Sequence, residues 1–432
     1  GTPDFFAETA LTVSANDPID ISCSSTFPSE LFDGIDINSG LVVFSTNQQF
    51  LLSSDDTVLN PDTAKLRSIS TFNYNKNIRP ISLGTTVAYM DNSGKFSRFM
   101  EMANIAREGE PNVVNQSQVV PTLIPKGVDL FTNSRENNLV LIGKTDSDEV
   151  QGFRYLNVGD KRQQSAWFKW LFAGHVLHHV MFDDSYYMIQ QSRDEDNPTW
   201  TLESIDIKTQ SDTIELSQQD VFNNYRDYPI YLDAHTEISA LPASAYNATT
   251  GKTTFTKPAG FSVDFPTAIL DRNTGDNFGS YATYGEDNSS NDTVSFNGNW
   301  TGRNLIFGYM FGLQIDTPKI FVTQAAGEKS RADTRGSLII HRLHFNFSEL
   351  GECQVGINRI GRPSDGLIIK AAELDSYKLN TYPVVRDHIQ TIPIYERNTN
   401  LDVYFVSQDP VPLILNSMNW EGDYNPKYYR RV

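Results

Sequence analysis

The sequence predicts an all-β protein made of β-propeller-like blades, a polar loop-rich insertion and a C-terminal β-sandwich-like domain. Three observations lead there. Short β-branched and aromatic runs are separated by Asn, Asp, Gly and Ser turns. Stretches with a 3.6-residue apolar period are few. Glycine-led strands recur at a nearly constant interval. With 432 residues, 39% hydrophobic and 12% aromatic, the chain has the apolar mass for a sizeable core, which excludes a disordered protein.

The first hairpin pairs LVVF (41–44) with FLL (50–52) across Thr46, Asn47 and Gln48. The second pairs TVAYM (86–90) with FSRFM (96–100) across DNSG (91–94), which has the Asn and Gly chemistry of a tight turn. LVLI (139–142) and GFRYL (152–156) flank DSD (146–148), and HHVMF (178–182) and YYMI (186–189) flank DDS (183–185). WTLESI (200–205) follows the acidic turn at 193–198. Four inner strands begin just after Gly40, Gly84, Gly127 and Gly174, at intervals of 44, 43 and 47 residues. A period of about 40–50 residues with several strands per unit is the signature of propeller blades, with a large sandwich as the alternative. This reading puts four blade-like repeats in residues 1–235, incomplete at the N-terminus.

Past residue 208 the pattern changes. Residues 214–224 are expected as a short helix and YPIYLD (228–233) as a closing strand. Residues 236–302 are rich in Thr, Asn, Gly and Ser. Within them GEDNSSND (285–292) reads as an exposed loop, with Asp287, Asn288 and Asp292 as candidates for a tip or gate. Residues 303–432 return to strand signals at 305–310, 320–323, 338–347, 355–357 and 403–406. LIIHRLHFNF (338–347) alternates in its second half, as expected for a sandwich or platform with one solvated or interfacial face.

The candidate chemistry is thin. His175, His178 and His179, with Asp183 and Asp184, are donor types that zinc uses. On a strand His178 and His179 point to opposite faces, so packing is the preferred reading, and the same holds for His341 and His344. Acidic clusters at 33–38, 194–196 and 286–287 do not match a twelve-residue calcium loop and read as solvated turns. No G-x-S-x-G, P-loop or H-E-x-x-H pattern occurs. We therefore expect no catalytic residue, cofactor or metal. Tryptophan is highly buried on average, so Trp167, Phe168 and Trp170 in QQSAWFKW (163–170) are read as packing or interface residues, against an exposed sugar platform. Cys23 and Cys353 are far apart and read as two free thiols in a reducing cytoplasm during assembly.

The 53 acidic against 35 basic residues give a net charge of −18, which argues against a surface that grips phosphate. A like-charged wall instead lets DNA slide past. WFKWLFAGHVLHHVMF (167–182) is broken by Lys169, Gly174 and three histidines, so no transmembrane helix is expected. The chain opens on GTPDFF, which reads like mid-chain sequence, so the expectation is a fragment or the downstream half of a longer protein.

GLVVFSTNQQFLL (40–52), LNPDTA (59–64), QQSAWFKW (163–170) and the closing WEGDYNPKYYRRV (420–432) resemble the tail tubular protein B, or tail nozzle protein, family of short-tailed bacteriophages. GYMF (308–311), RLHF (342–345) and Gly351 are similar to its C-terminal β-domain. The resemblance runs from about residue 16 to the end and is weakest across 234–302. It implies a non-enzymatic virion protein of the phage tail, a homohexameric ring forming the distal tail tube. The implied partners are the tail adaptor (tail tubular protein A), the tail fibres and the host cell envelope. Genomic DNA would pass through the lumen without specific binding. Six copies at −18 each carry a formal −108, suited to a non-adhesive conduit. Polar turns at 133–138 and 191–198 are further tip or gate candidates. The alternative is a glycan-binding or glycan-hydrolysing tail component, and a third reading is a host-derived propeller for a soluble ligand.

Overall fold

Strand period and turn chemistry organise the chain sheet by sheet. The computed structural model describes residues 28–426 apart from 55–58, 62, 106–108, 159–160, 194–197, 208–213, 220–224, 259–260, 262–264, 272–279, 289–291, 327–328 and 371–383, together with residues 19, 21–23 and 25. Among the described residues no α-helix occurs. The chain divides into two compact units, Gly1–Ser211 and Asp212–Val432.

In the first unit, β1 (Leu31–Ile37), β2 (Gly40–Ser45), β3 (Gln49–Ser54) and β4 (Ala64–Ser70) form a sheet in chain order. β5 (Ile81–Ser82), β6 (Val87–Asp91), β7 (Arg98–Ala103) and β8 (Asn112–Asn115) form a second. The third has six strands: β9 (Leu130–Ser134), β10 (Leu139–Gly143), β11 (Ser147–Val158), β12 (Lys161–Phe182), β13 (Ser185–Gln191) and β14 (Trp200–Asp206). Val42, Phe44 and Leu51 of the first sheet meet Val87, Tyr89 and Met100 of the second. The second sheet's other face presents Ala88, Met90 and Phe99 to Val140, Ile142 and Phe153 of the third. Each fully buried Phe contributes about 1.5–3 kcal/mol. Consecutive meanders stacked face to face match the blade architecture expected. The expected hairpins are β2–β3, β6–β7, β10–β11 and β12–β13.

The four glycine-led repeats resolve into three sheets. Gly40 opens β2 at a φ of 144°, and a Cβ there would lie 2.2 Å from the Leu52 carbonyl oxygen. Gly174 instead sits inside β12, where a Cβ would lie 2.4 Å from the Gln191 carbonyl oxygen. It permits a close approach of β12 to β13 within one sheet and does not begin a new blade. The last two of the four glycines, Gly127 and Gly174, therefore belong to the same six-stranded sheet, one leading into β9 and the other inside β12.

The second unit opens with β15 (Ile214–Gln219) paired to β16 (Tyr225–Ile230). This corrects the helix expected at 214–224: IELSQQ has a period of two, and pairing with 225–230 gives its backbone a ladder. Residues 220–224 lie outside the described residues. Next come β17 (Asp233–Ile238), β18 (Tyr246–Asn247), β19 (Lys252–Thr256) and β20 (Thr267–Asp271). β21 (Tyr281–Thr283), β22 (Glu286–Asn288), β23 (Thr293–Asn297) and β24 (Leu305–Tyr309) complete this group. They build two sheets, β17-β24-β20-β21 and β18-β19-β23-β22, closed on Phe255, Ile269, Val294, Phe296, Trp300 and Phe307. Residues 236–302, expected to be loop-rich, thus carry most of a small sandwich, and β24 beyond them pairs with both β17 and β20. Threonine-rich strands with an apolar residue at every second position look polar by composition yet suit a half-buried pleat.

The chain ends on β25 (Leu313–Asp316), β26 (Thr323–Ala326), β27 (Lys329–Ala332), β28 (Ser337–Leu350) and β29 (Cys353–Arg359). After these come β30 (Asp365–Ile369), β31 (Val385–Arg397), β32 (Leu401–Ser407) and β33 (Leu413–Asn425). Sheet β31-β28-β33 faces sheet β25-β32-β29-β30 across Leu343, Phe345, Phe347, Val355, Ile392 and Phe405, the expected sandwich. The strand expected at 320–323 is displaced. The Thr317 amide and hydroxyl both donate to the Val403 carbonyl, Pro318 follows, and Ile320 and Val322 pack on the core between β25 and β26.

Candidate functional site

The aromatic block lies on the β11–β12 hairpin of the first unit. Its register sets Phe153 opposite Trp167, Gly152 opposite Phe168 and Val150 opposite Trp170. Successive side chains therefore face opposite ways. Trp167 packs 4.7 Å from Phe153 and 5.7 Å from Phe99 (ring centroids), and its Nε1 donates to the Gln116 carbonyl at 3.2 Å. Phe168 and Trp170 occupy the other face, 5.2 Å apart, with Trp170 edge-on to Tyr186. A Cβ on Gly152 would lie 2.0 Å from the Phe168 Cζ, so the glycine leaves room for that ring. Beyond the block, Leu156 and Val158 on β11 and residues 163–166 on β12 are exposed.

One ion pair fixes this hairpin next to its turn. Both terminal nitrogens of Arg162 donate to the Glu101 carboxylate at 2.8 Å, and the guanidinium lies 4.7 Å from the Tyr155 ring centroid. Glu101 also accepts from the Thr86 hydroxyl (2.7 Å) and the Gln116 amide (2.6 Å). These contacts tie β12 to the second sheet through a carboxylate that is 5% exposed. Sequence reading missed the pair. The signal was a single acid, Glu101, within the apolar run FMEMA (99–103).

The histidines part as their spacing requires: His178 pairs with Ile189 and is exposed, whereas His179 pairs with Met188 and is buried. His179 Nδ1 lies 2.8 Å from the Tyr186 hydroxyl. Burial, followed by the neighbouring His178 charge, pushes its pKa down to about 4. At the β12–β13 turn Asp183 and Asp184 have φ of 46° and 60°, the geometry a two-residue hairpin requires. Asp184 accepts from Ser134 and Asn137, drawing one of the expected polar turns into the fold. Residues 194–197 lie outside the described residues. Among the described residues no three His, Cys, Asp or Glu side chains converge as metal ligands. Neither Cys23 nor Cys353 is in a disulfide, and burial raises the Cys353 pKa to about 12.

In the second unit, Asp287 and Asn288 stand on edge strand β22 and Asp292 just precedes β23. Lys257, its side chain only 4% exposed, reaches Asp287 at 3.0 Å and Asp292 at 3.5 Å. Its amide donates to the Asp292 carbonyl at 2.9 Å. Lys252 pairs with Glu286 on the same sheet. A Cβ on Gly285 would lie 2.5 Å from the Phe296 Cζ, which presses the tract onto the core. The exposed loop expected at 285–292 is instead, at 285–288 and 292, an ion-paired sheet edge that is exposed at 286–288, while 289–291 lie outside the described residues. Lys257 carries no local sequence signal, because its partners are 30 and 35 residues downstream.

Neither cluster sets out a nucleophile, a base and an oxyanion site; both hold strands in place. Comparison with known proteins gives the decisive observation, a match of residues 3–431 to the family described as bacteriophage nozzle protein. The chain belongs to that family. As a nozzle-family protein it is a component of the phage tail. It is similar to tail tubular protein gp12 of Escherichia phage T7, at 21% identity over 439 residues covering 98% of this chain and 52% of that protein. The nozzle-family chain thus spans about half the length of the curated relative it matches. Among solved structures it is similar to an exo-β-1,3-galactanase from Phanerochaete chrysosporium bound to galactotriose (10% identity, 91% and 81% of the two chains, TM-score 0.22). The galactose complex of that enzyme matches at 9% identity over 87% and 76% of the chains, with a TM-score of 0.18. Similarity this low carries no argument about fold or chemistry.

Proposed function

We propose that this chain forms wall material of the distal tail tube, assembling as a ring around an axial passage through which DNA is ejected into the host. The observation that carries this reading is the nozzle-family match over residues 3–431. Two features support it. Ladders such as β11–β12 and β28 with both its neighbours give long, stiff sheets. The net charge of −18 per copy suits a wall that repels DNA, and it requires interfaces whose apolar and hydrogen-bonded contacts outweigh repulsion between copies. A homohexamer, contacts to tail adaptor and fibres, and a channel that does not bind DNA specifically belong to the same proposal. The cluster around Trp167, Phe168 and Trp170 acts as bracing, and Asp287, Asn288 and Asp292 act as the rim of a tip or gate.

An affinity tag inserted in the exposed turn at 248–250 tests the placement. Gold-labelled antibody should decorate the distal end of the virion tail. Decoration elsewhere on the particle, or none on infectious virions that carry the tag, would contradict the proposal.

A further inference from the structure

The outer face of sheet β25-β32-β29-β30 carries a groove of about 520 Å³ whose floor is an aromatic ring laid flat on glycine. Pairing puts Tyr404 of β32 between Asp316 of β25 and Gly356 of β29. A Cβ on Gly356 would lie 2.1 Å from the Tyr404 Cζ and 2.5 Å from its hydroxyl oxygen, so the ring covers the glycine. The next residue across the sheet is Gly366, again without a side chain. One ring face thus rests on backbone while the other lines the groove.

Around the ring stand short polar groups. Asn358 and Asp402 are register partners two pairs along the strands from Gly356 and Tyr404, on the same face. Gln314 donates to Asp316 at 2.9 Å, which orients that carboxylate, and Lys319 holds Asp402 at 3.0 Å. Among the described residues neither the Asn358 amide nor the Tyr404 hydroxyl makes a side-chain hydrogen bond, so both keep donors and acceptors for a ligand. A planar aromatic face ringed by amide and carboxylate oxygens complements a molecule with an apolar C–H face and a rim of hydroxyls. The two carboxylates at the groove disfavour anionic ligands.

We infer that this groove binds a neutral hexopyranose oligosaccharide, with one sugar ring stacked on Tyr404 and its hydroxyls donating to Asp316, Asp402 and Asn358. The volume is that of an ordinary small-ligand cleft, about 300–1,000 Å³. Ring packing over glycine also stabilises sheets, so a purely structural role for Tyr404 is the competing account.

Saturation-transfer NMR on the full chain separates the two. The probes are maltotetraose, cellotetraose and chitotetraose, with a uronate tetrasaccharide as the anionic control. At least one neutral probe should show transfer to its ring protons, and the uronate none. Tyr404→Phe should bind within about twofold of the parent, whereas Tyr404→Leu should weaken binding about tenfold. Asp402→Ala, at an exposed position, should weaken it about two- to tenfold with an unchanged melting curve. The melting curve of Tyr404→Leu reports any loss of folding, and Asp402→Ala keeps the test decisive if that variant unfolds. Absence of transfer from every neutral probe, equal binding of the uronate, or undiminished binding by both Asp402→Ala and a folded Tyr404→Leu would overturn the inference.

Discussion

Replacing Arg162 by Met should loosen the β11–β12 hairpin from the second sheet by an amount the geometry sets. The Glu101 carboxylate is 5% exposed and takes both Arg162 nitrogens at 2.8 Å. Removing one partner of a buried pair costs about 3–5 kcal/mol, because the other charge is stranded. Arg162 is 21% exposed, and Thr86 and Gln116 still donate to Glu101, so the lower end, about 3 kcal/mol, is expected. The assay is native-state hydrogen exchange on peptides from β7 and β12, with β28 in the other unit as an internal control. A loss of about 3 kcal/mol makes exchange through that opening about 150-fold faster. Glu101→Gln combined with Arg162→Met leaves no stranded charge and should recover about 1–2 kcal/mol of the loss. A change below about fivefold in the single variant, or a double variant worse than the single, would refute the bracing role.

Three further outcomes follow from the same packing. His179 is buried neutral with its pKa lowered from 6.5 to about 4, so the unfolded chain takes up a proton first as pH falls. Its stabilisation is complete above about pH 6.5 and is lost progressively toward pH 4, about 3 kcal/mol in all. Urea denaturation across that range should be steeper in pH for the parent than for His179→Gln, and parallel curves would count against it. Gly152→Ala should destabilise the first unit by about 1–3 kcal/mol through overlap with Phe168. Phe168→Ala should make that same change nearly neutral in a thermal melt, and additive losses would show that the two do not meet. Lys257→Met should cost about 1–2 kcal/mol, since Asp287 is 18% and Asp292 70% exposed. The loss should appear as faster exchange in β22 and β23, and unchanged exchange there would rule out the anchor.

Much of the strand pattern was legible in the sequence because its signals are local. The turns at 91–94 and 183–185 carry the Asn, Asp and Gly chemistry that a hairpin needs, and they close β6–β7 and β12–β13. What failed were inferences across distance. Gly174 looks like Gly40 in sequence, yet one makes room for a neighbouring strand and the other opens its own. Alternation in 338–347 shows only in its second half, because a bulge between Ile340 and Arg342 shifts the buried set from Leu338 and Ile340 to Leu343, Phe345 and Phe347. Residues 236–302 hid a sandwich because its apolar residues are sparse and Thr supplies the strand backbone between them. The opposite facing of Trp167 and Phe168 follows from strand period alone, but which core each enters depends on sheet stacking. Glu101–Arg162 and Lys257–Asp287 join residues 61 and 30 apart, separations at which no sequence window sees a pair.

A reconstruction of the intact phage tail, at a resolution that traces strands, tests the tube-wall claim most directly. The sheets from β1 to β33 should fit repeated copies of distal density around an axial channel, with acidic side chains lining the hole. Finding this chain off the axis, or in a single copy beside a tube built from other proteins, would contradict it.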